Sequence, residues 1–199
     1  MRNDLRAEMF VIVMMAAAVS LSKFQRKVYD LPTALFFTLT LAFFQRRQLR
    51  AYALLFPLAT LNRETSILLT LLFAVYFFRR LDRRAYLLHL VYQLVIYGTI
   101  TIALRVIFAD LPGQSVYFQL PTNLQLYRRA PIGATVLFLS MLAILALVWI
   151  KWRRAPQLAR TAFLVFAPLL TLFFFLVGWG FEVRFFLELL PVVMIVGVS

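Results

Sequence analysis

The sequence has no cysteine and a single histidine, His89, among its 199 residues. The lack of cysteine excludes disulfides, thiolate nucleophiles and cysteine-based metal sites together. One histidine cannot form a site of several imidazoles, and we expect His89 to lie at the membrane interface or in the core. The phosphate-binding patterns GxGxxG and GxxxxGK(S/T) are also missing, so no nucleotide-binding loop and no cofactor is predicted.

Acidic residues are scarce, with 8 Asp and Glu against 21 Lys and Arg, and the net charge is +13. The chain is 63% hydrophobic, and its mean hydropathy of +0.87 is far above that of a soluble domain. This composition predicts a polytopic membrane protein. The basic residues form short clusters between apolar runs, which is typical of cytoplasmic loops and favours membrane topology over nucleic-acid binding.

The apolar runs predict an all-α bundle of about eight transmembrane segments in a single domain, 1–199. The segments are 8–22, 31–44, 51–61, 66–78, 85–108, 131–150, 161–177 and 185–198. Arginine-rich clusters follow the second, fourth and sixth segments. Placing these clusters inside gives a protein of the bacterial inner membrane with both termini in the cytoplasm. The outer loops are then 23–30, 62–65, 109–130 and 178–184, and a short helix on the membrane surface is expected within 109–130.

The outer loop 62–65, Asn62-Arg63-Glu64-Thr65, lies between two unusually short apolar segments of 11 and 13 residues. As helices these reach only about 16–20 Å, whereas the hydrocarbon core is about 30 Å thick. The junction is therefore predicted to lie below the outer surface, where polar groups indicate function. Arg63 would bind a phosphate or a sugar carboxylate, and Glu64 would fix the rotamer of Arg63 or bind sugar hydroxyls. Alternatively, both charges neutralise partners in the bundle and Asn62 caps the helix that begins near Arg63.

Two further outer loops carry candidate residues. In 23–30, Arg26 and Lys27 could hold an anionic headgroup while Asp30 acts as a base. The alternative is a loop on anionic lipid, in which Asp30 caps the next helix. In 178–184, Glu182 and Arg184 are charged residues at the outer boundary and are candidate site residues. Alternatively, they form a local ion pair beside an aromatic anchor at the interface. Further along, Glu188 lies in an apolar run and is expected to face the bundle interior.

Three stretches together resemble the GT-C superfamily of integral-membrane glycosyltransferases, which includes protein O-mannosyltransferases and aminoarabinose transferases. The resemblance covers most of 9–191. Val28–Phe37 (VYDLPTALFF) looks like the family's second outer loop and following helix, "D-P-x-A-L-F-F". Leu58–Thr65 (LATLNRET) looks like the "L-T-K-G" corner, with Arg63 in place of lysine. Glu182–Pro191 (EVRFFLELLP) looks like the "E-x-R-Y-x-x-P-x-x-P" stretch.

The resemblance implies binding of a polyprenyl-phosphate-linked sugar and its transfer to an acceptor at the outer face. Arg63, helped by Arg26 or Lys27, would bind the lipid phosphate, and Asp30 would deprotonate the acceptor. The other implied substrate-binding residues are Asn62, Glu64, Glu182 and Arg184. No metal is required, although some family members use a divalent ion.

The family's principal catalytic carboxylate lies in a first outer loop that has no counterpart here. We therefore expect an incomplete or inactive relative. The alternatives are a non-enzymatic protein that binds a lipid headgroup or resembles a transporter, and a structural membrane subunit.

Overall fold

A computed structural model describes residues 30–109, 118–178 and 186–199. Every regular element in these ranges is a helix, which confirms the predicted all-α class. The elements are α1 (Asp30–Gln45), α2 (Leu49–Asn62), a 3-10 turn (Glu64–Ser66), α3 (Ile67–Phe77), α4 (Arg83–Ile107), α5 (Leu120–Arg129), α6 (Pro131–Lys151), α7 (Gln157–Leu176) and α8 (Leu190–Val198). They fall into two compact units. We call 30–109 the amino-proximal unit, and 118–178 with 186–199 the carboxy-proximal unit.

The helices follow the predicted apolar segments closely wherever the structure describes them, with ends that differ by a few residues. The segment 8–22 lies outside the described residues. Of the segment 185–198, residues 186–198 are described, and the α-helix α8 forms only the later part. A short helix does lie within 109–130, namely α5. By length and composition, three of the described helices can cross a membrane: α4, α6 and α7.

In the amino-proximal unit, α1 packs against α2, while α2 and α3 both pack against α4. Aromatic rings fill the centre. The ring centroid of Phe44 lies 4.6 Å from that of Tyr52 and 5.1 Å from that of Phe77, both edge to face, and Tyr52 stacks on Phe73 at 6.3 Å. Such offset and edge-on pairs add to the stability that burial gives.

Polar side chains of this unit point inward. Those with almost no exposed surface are Thr33, Thr40, Thr60, Ser66, Thr70 and Gln93. In the centre, Tyr52 Oη donates to Gln93 Oε1 at 2.7 Å, and Gln93 Nε2 donates to the His89 carbonyl at 3.1 Å. The His89 ring is half-buried and lies 5.8 Å from the Phe73 ring, as expected for a core or interfacial residue.

Apolar side chains cover the outside. Leu54 and Leu88 are 78% and 64% exposed. In the most apolar stretch of 18 residues in α4, only 6% of the residues are buried. A water-soluble domain rarely exposes contiguous apolar surface on this scale. In a membrane, lipid covers such a surface while the backbone bonds remain inside the helices. The fold is therefore consistent with a membrane protein.

A proline inside α2 leaves a backbone carbonyl without its helical donor, and a side chain of α4 supplies one. Pro57 has no N–H, so the carbonyl of Ala53, four residues earlier, loses its helical donor. Tyr92 Oη from α4 donates to this carbonyl at 2.8 Å. Repair of this kind by a neighbouring helix is what makes proline tolerable inside a membrane.

In the carboxy-proximal unit, α8 packs against both α6 and α7, and α5 contacts the same two helices. The core combines Phe166, Leu170 and Phe174 of α7 with Val192 and Val196 of α8.

Candidate functional site

The backbone at 62–66 forms a corner between two short helices. Helix α2 ends at Asn62, and Arg63 is extended with φ −162° and ψ 139°. The 3-10 turn follows at once and leads into α3. The Arg63 N–H still donates to the Ala59 carbonyl at 3.1 Å, and the Ser66 N–H donates to the Arg63 carbonyl at 3.1 Å. The helical path is thus broken at a single residue, while backbone hydrogen bonds on both sides hold the break in place.

Two buried hydroxyl groups form hydrogen bonds next to the corner. Ser66 Oγ donates to Thr60 Oγ1 at 3.2 Å, and Thr60 Oγ1 donates to the Phe56 carbonyl at 2.9 Å. Side chains of this kind compete for backbone groups and favour turns over continuous helix. The bond between Ser66 and Thr60 ties the 3-10 turn to the last turn of α2.

Asn62 joins the corner to another helix. Its Nδ2 donates to Thr33 Oγ1, in the first turns of α1, at 2.8 Å. The expectation that Asn62 caps the next helix is wrong. Asn62 is the last residue of α2, and the 3-10 turn that begins after Arg63 has no side-chain cap. One extended residue separates Asn62 from that turn, and its amide is directed sideways to Thr33.

Two charged residues meet at the same end of the unit. Arg105, in the last turn of α4, lies with Nη2 4.0 Å from Glu64 Oε1, and the side chains are 73% and 64% exposed. An exposed ion pair at this distance is weak, so both groups remain accessible to a ligand. No local pattern in the sequence indicates that Arg105 pairs with Glu64, which lies 41 residues earlier.

The remaining predicted site residues are described only in part or not at all. Helix α1 begins at Asp30, one turn before Thr33, so the Asp30 backbone belongs to the end of the unit that holds the corner. Arg26, Lys27, Glu182 and Arg184 lie outside the described residues.

The described contacts at the corner join Glu64 to Arg105 and Asn62 to Thr33, and the half-buried Arg63 lies between Asn62 and Glu64 in the chain. Guanidinium and amide donors make strong charge-assisted hydrogen bonds to phosphate and carboxylate. Among the described residues, no group of three or more His, Asp or Glu side chains could hold a metal ion. Residue types of this kind suit the binding of an anion.

The carboxy-proximal unit has a polar cluster of a different kind. Asn123 of α5 donates through Nδ2 to the carbonyls of Phe175 at 3.3 Å and Gly178 at 2.8 Å. The Gln119 N–H also donates to the Leu176 carbonyl at 2.7 Å. These bonds satisfy carbonyls that the end of α7 would otherwise leave without donors. Sequence analysis did not select Asn123, because its partners lie more than fifty residues away.

Two other side chains of this unit are placed by the structure. Glu188 has no exposed surface, as expected for a residue that faces the interior. Burial raises the pKa of the Tyr127 phenol above its ordinary value, so this group stays neutral at pH 7.

No protein-family model matches the chain, and no curated protein or solved structure matches it. The function of the chain is therefore argued from the corner itself.

Proposed function

We propose that the chain is a membrane protein of the GT-C glycosyltransferase kind. It binds a polyprenyl-phosphate-linked sugar at the corner and transfers the sugar to an acceptor at the outer face. The observation that carries this proposal is the helix break at Arg63, with the exposed Glu64–Arg105 pair at the same end of the unit. A broken helix with charged side chains is the usual form of a binding site inside a membrane.

Helix lengths support a recessed position for the corner. Helix α2 has 14 residues and reaches about 21 Å, whereas α4 has 25 residues and reaches about 37 Å. A hydrocarbon core is about 30 Å thick, so α4 can cross it and α2 ends before the far side. The opposite end of the unit carries the arginine-rich connections, and the positive-inside rule assigns that end to the cytoplasm. We assign the corner to the outer half of the inner membrane, within an eight-span topology with both termini inside.

The side chains of the corner suit a lipid phosphate. Arg63 and Arg105 offer planar forks of N–H donors that match phosphate oxygens, and Asn62 adds an amide. Glu64 lies beside Arg105, and its exposed carboxylate can bind sugar hydroxyls. In the transfer step, an acceptor oxygen forms a bond to the anomeric carbon as the bond to the phosphate oxygen breaks. The proton of the acceptor passes to Asp30, and fixed cations stabilise the departing lipid phosphate.

A second candidate is a non-enzymatic protein that binds the same headgroup. It is favoured by one observation: Glu64 and Arg105 form an exposed pair, and an exposed guanidinium can bind an anionic headgroup whether or not a base is present.

Transfer and binding must be measured separately to distinguish the two candidates. The full chain is reconstituted in liposomes with a labelled polyprenyl-phosphate sugar and a range of acceptors, as wild type, Arg63→Ala and Asp30→Asn. We expect transfer by wild type alone, and binding of polyprenyl phosphate that Arg63→Ala weakens but Asp30→Asn retains. Arg46→Ala is the matched control, because it removes one arginine from the opposite end of the same unit.

The outcomes separate cleanly. Binding without transfer to any acceptor would support the headgroup-binding candidate. Equal binding by wild type and Arg63→Ala would contradict both candidates at this site.

A further inference from the structure

We propose that the opposite end of the amino-proximal unit holds a second binding site, which recognises a phosphate group. An open depression of about 580 Å³ lies there. It is lined by Arg47, Gln48, Leu49, Arg50, Ala51 and His89. The corner argued above does not contribute to it, so the two proposals stand or fall independently.

The connection between α1 and α2 holds Arg47 in an unusual conformation. After α1 ends, the Gln48 N–H donates to the Phe43 carbonyl at 2.8 Å and the Arg47 N–H donates to the Phe44 carbonyl at 3.2 Å. This is the bonding of a Schellman motif, in which the residue at position 47 takes a left-handed conformation. Arg47 has φ 54°, where glycine is strongly favoured and an arginine is strained. An arginine at such a position indicates a use for its side chain.

The charge around the depression is strongly positive. The two connections at this end, 46–50 and 79–84, carry seven arginines and one carboxylate, Asp82. Asp82 Oδ2 accepts from the Ala85 N–H at 2.9 Å and caps α4. Arg80 lies over the ring of Tyr76, with Cζ 4.0 Å from its centroid. Arg47 and Arg50, by contrast, are exposed at the depression, so the positive potential there is available to an anion.

The floor and wall of the depression also suit phosphate. The residues 49–51 form the first turn of α2, and the N-cap residue Gln48 makes no side-chain cap bond. The Leu49 N–H donates to the Arg47 carbonyl at 3.0 Å. The next N–H groups of this turn and the positive end of the helix dipole add to the two guanidinium groups. His89 lines one side of the depression. Its ring contacts Phe73, and its backbone carbonyl accepts a hydrogen bond from Gln93.

The phosphate can belong to an anionic lipid headgroup or to a free ion. Basic pockets between helices at a membrane surface suit headgroups of this class. The experiment titrates the full chain in neutral detergent with dioleoyl-phosphatidylglycerol, with dioleoyl-phosphatidylcholine and with inorganic phosphate. Bound lipid is counted by native mass spectrometry.

Arg47→Gly is the decisive variant, because it removes the guanidinium and relieves the backbone strain at once. We expect it to fold at least as stably as wild type and to bind phosphatidylglycerol about fivefold more weakly. Arg46→Gln removes a charge from the neighbouring exposed position outside the depression and is expected to change the affinity less than about twofold. Equal losses in the two variants, or none in Arg47→Gly, would overturn the proposal.

The remaining arms identify the source of the phosphate and the independence of the site. Displacement of phosphatidylglycerol by inorganic phosphate, sensitive to Arg47→Gly, would support recognition of the phosphate group itself. Resistance to displacement, with the same sensitivity, would support a lipid headgroup. Arg63→Ala at the corner is expected to leave phosphatidylglycerol binding here unchanged. A matching loss in that variant would overturn the claim of a separate site.

Discussion

Asn62 in the amino-proximal unit and Asn123 in the carboxy-proximal unit both use a side-chain amide to connect two helices. Asn123 is 1% exposed and donates to two backbone carbonyls at the end of α7. Asn62 is half-buried and donates to a hydroxyl, Thr33 Oγ1. The Asn123 amide completes a helix end, whereas the Asn62 amide joins two side chains beside a break in the backbone.

The surroundings of the two amides differ more than the amides do. Gly178 lies against the end of α7 so closely that a Cβ there would be 2.6 Å from the Phe174 carbonyl oxygen, and Asn123 itself is almost fully buried. Beside Asn62, the exposed Glu64 and Arg105 are within reach of solvent or lipid. A polar residue in an apolar sequence is therefore not by itself a site. Partial exposure and nearby charges distinguish a candidate site from a structural bond.

The largest effect is expected at the corner. Arg63→Ala removes the cation proposed to hold the lipid phosphate, and hydrogen bonds to charged groups contribute about 1.5–3 kcal/mol. We expect the affinity for polyprenyl phosphate to fall about 10–100-fold, with little change in melting temperature. Titration of the purified chain in detergent measures this. Arg63→Lys keeps the charge and should retain part of the affinity. A large loss of stability in Arg63→Ala, with unchanged affinity, would reassign Arg63 to the structural class of Asn123.

The next effect is expected at Asn123, on stability. Asn123→Ala leaves two carbonyls at the end of α7 without this donor, and leaving buried groups unsatisfied costs about 1–3 kcal/mol. We expect the free energy of unfolding to fall by about 2 kcal/mol, measured by denaturant titration in micelles. Thr135→Ala is the control, because it removes an exposed hydroxyl that bonds only one turn back along its own helix. Its effect should stay within about 0.5 kcal/mol. Equal effects in the two variants would contradict the structural role.

The helices and the position of the corner were predictable from the sequence because both depend on local pattern. Apolar runs separated by arginine clusters determine the helix ends to within a few residues, and four polar residues in an apolar run indicate a break. The partners across helices were not predictable. Thr33 is 29 residues from Asn62, and no local pattern encodes which helix packs beside which. For the same reason, the local sequence favours a cap at Asn62 as the structural alternative, since capping is the local use of an asparagine at that position.

The third effect tests whether Asn62 couples to its partner. Asn62→Ala removes the bond to Thr33 Oγ1, and a typical intramolecular hydrogen bond contributes about 0.5–1.5 kcal/mol. We expect a loss of about 1 kcal/mol in the free energy of unfolding, smaller than that of Asn123→Ala because Asn62 is half-buried. A double-mutant cycle with Thr33→Val should give a coupling energy of at least about 0.5 kcal/mol. Additive effects would show that the two side chains do not interact.

The smallest effect on stability is expected at Glu64. Glu64→Gln breaks an ion pair whose members are mostly exposed, so the loss should be below about 0.5 kcal/mol and should vanish in about 0.5 M salt. The same change removes the negative charge nearest to Arg105, and we therefore expect affinity for polyprenyl phosphate to rise. Arg105→Gln has the same small effect on stability but should lower the affinity. If Glu64 and Arg105 belong to a binding site, the two variants change the affinity in opposite directions. If they form only a structural pair, breaking it from either side changes the affinity in the same direction. If the affinity changes in the same direction in both variants, Arg105 does not belong to the site. Phosphate binding at the corner would then be assigned to Arg63.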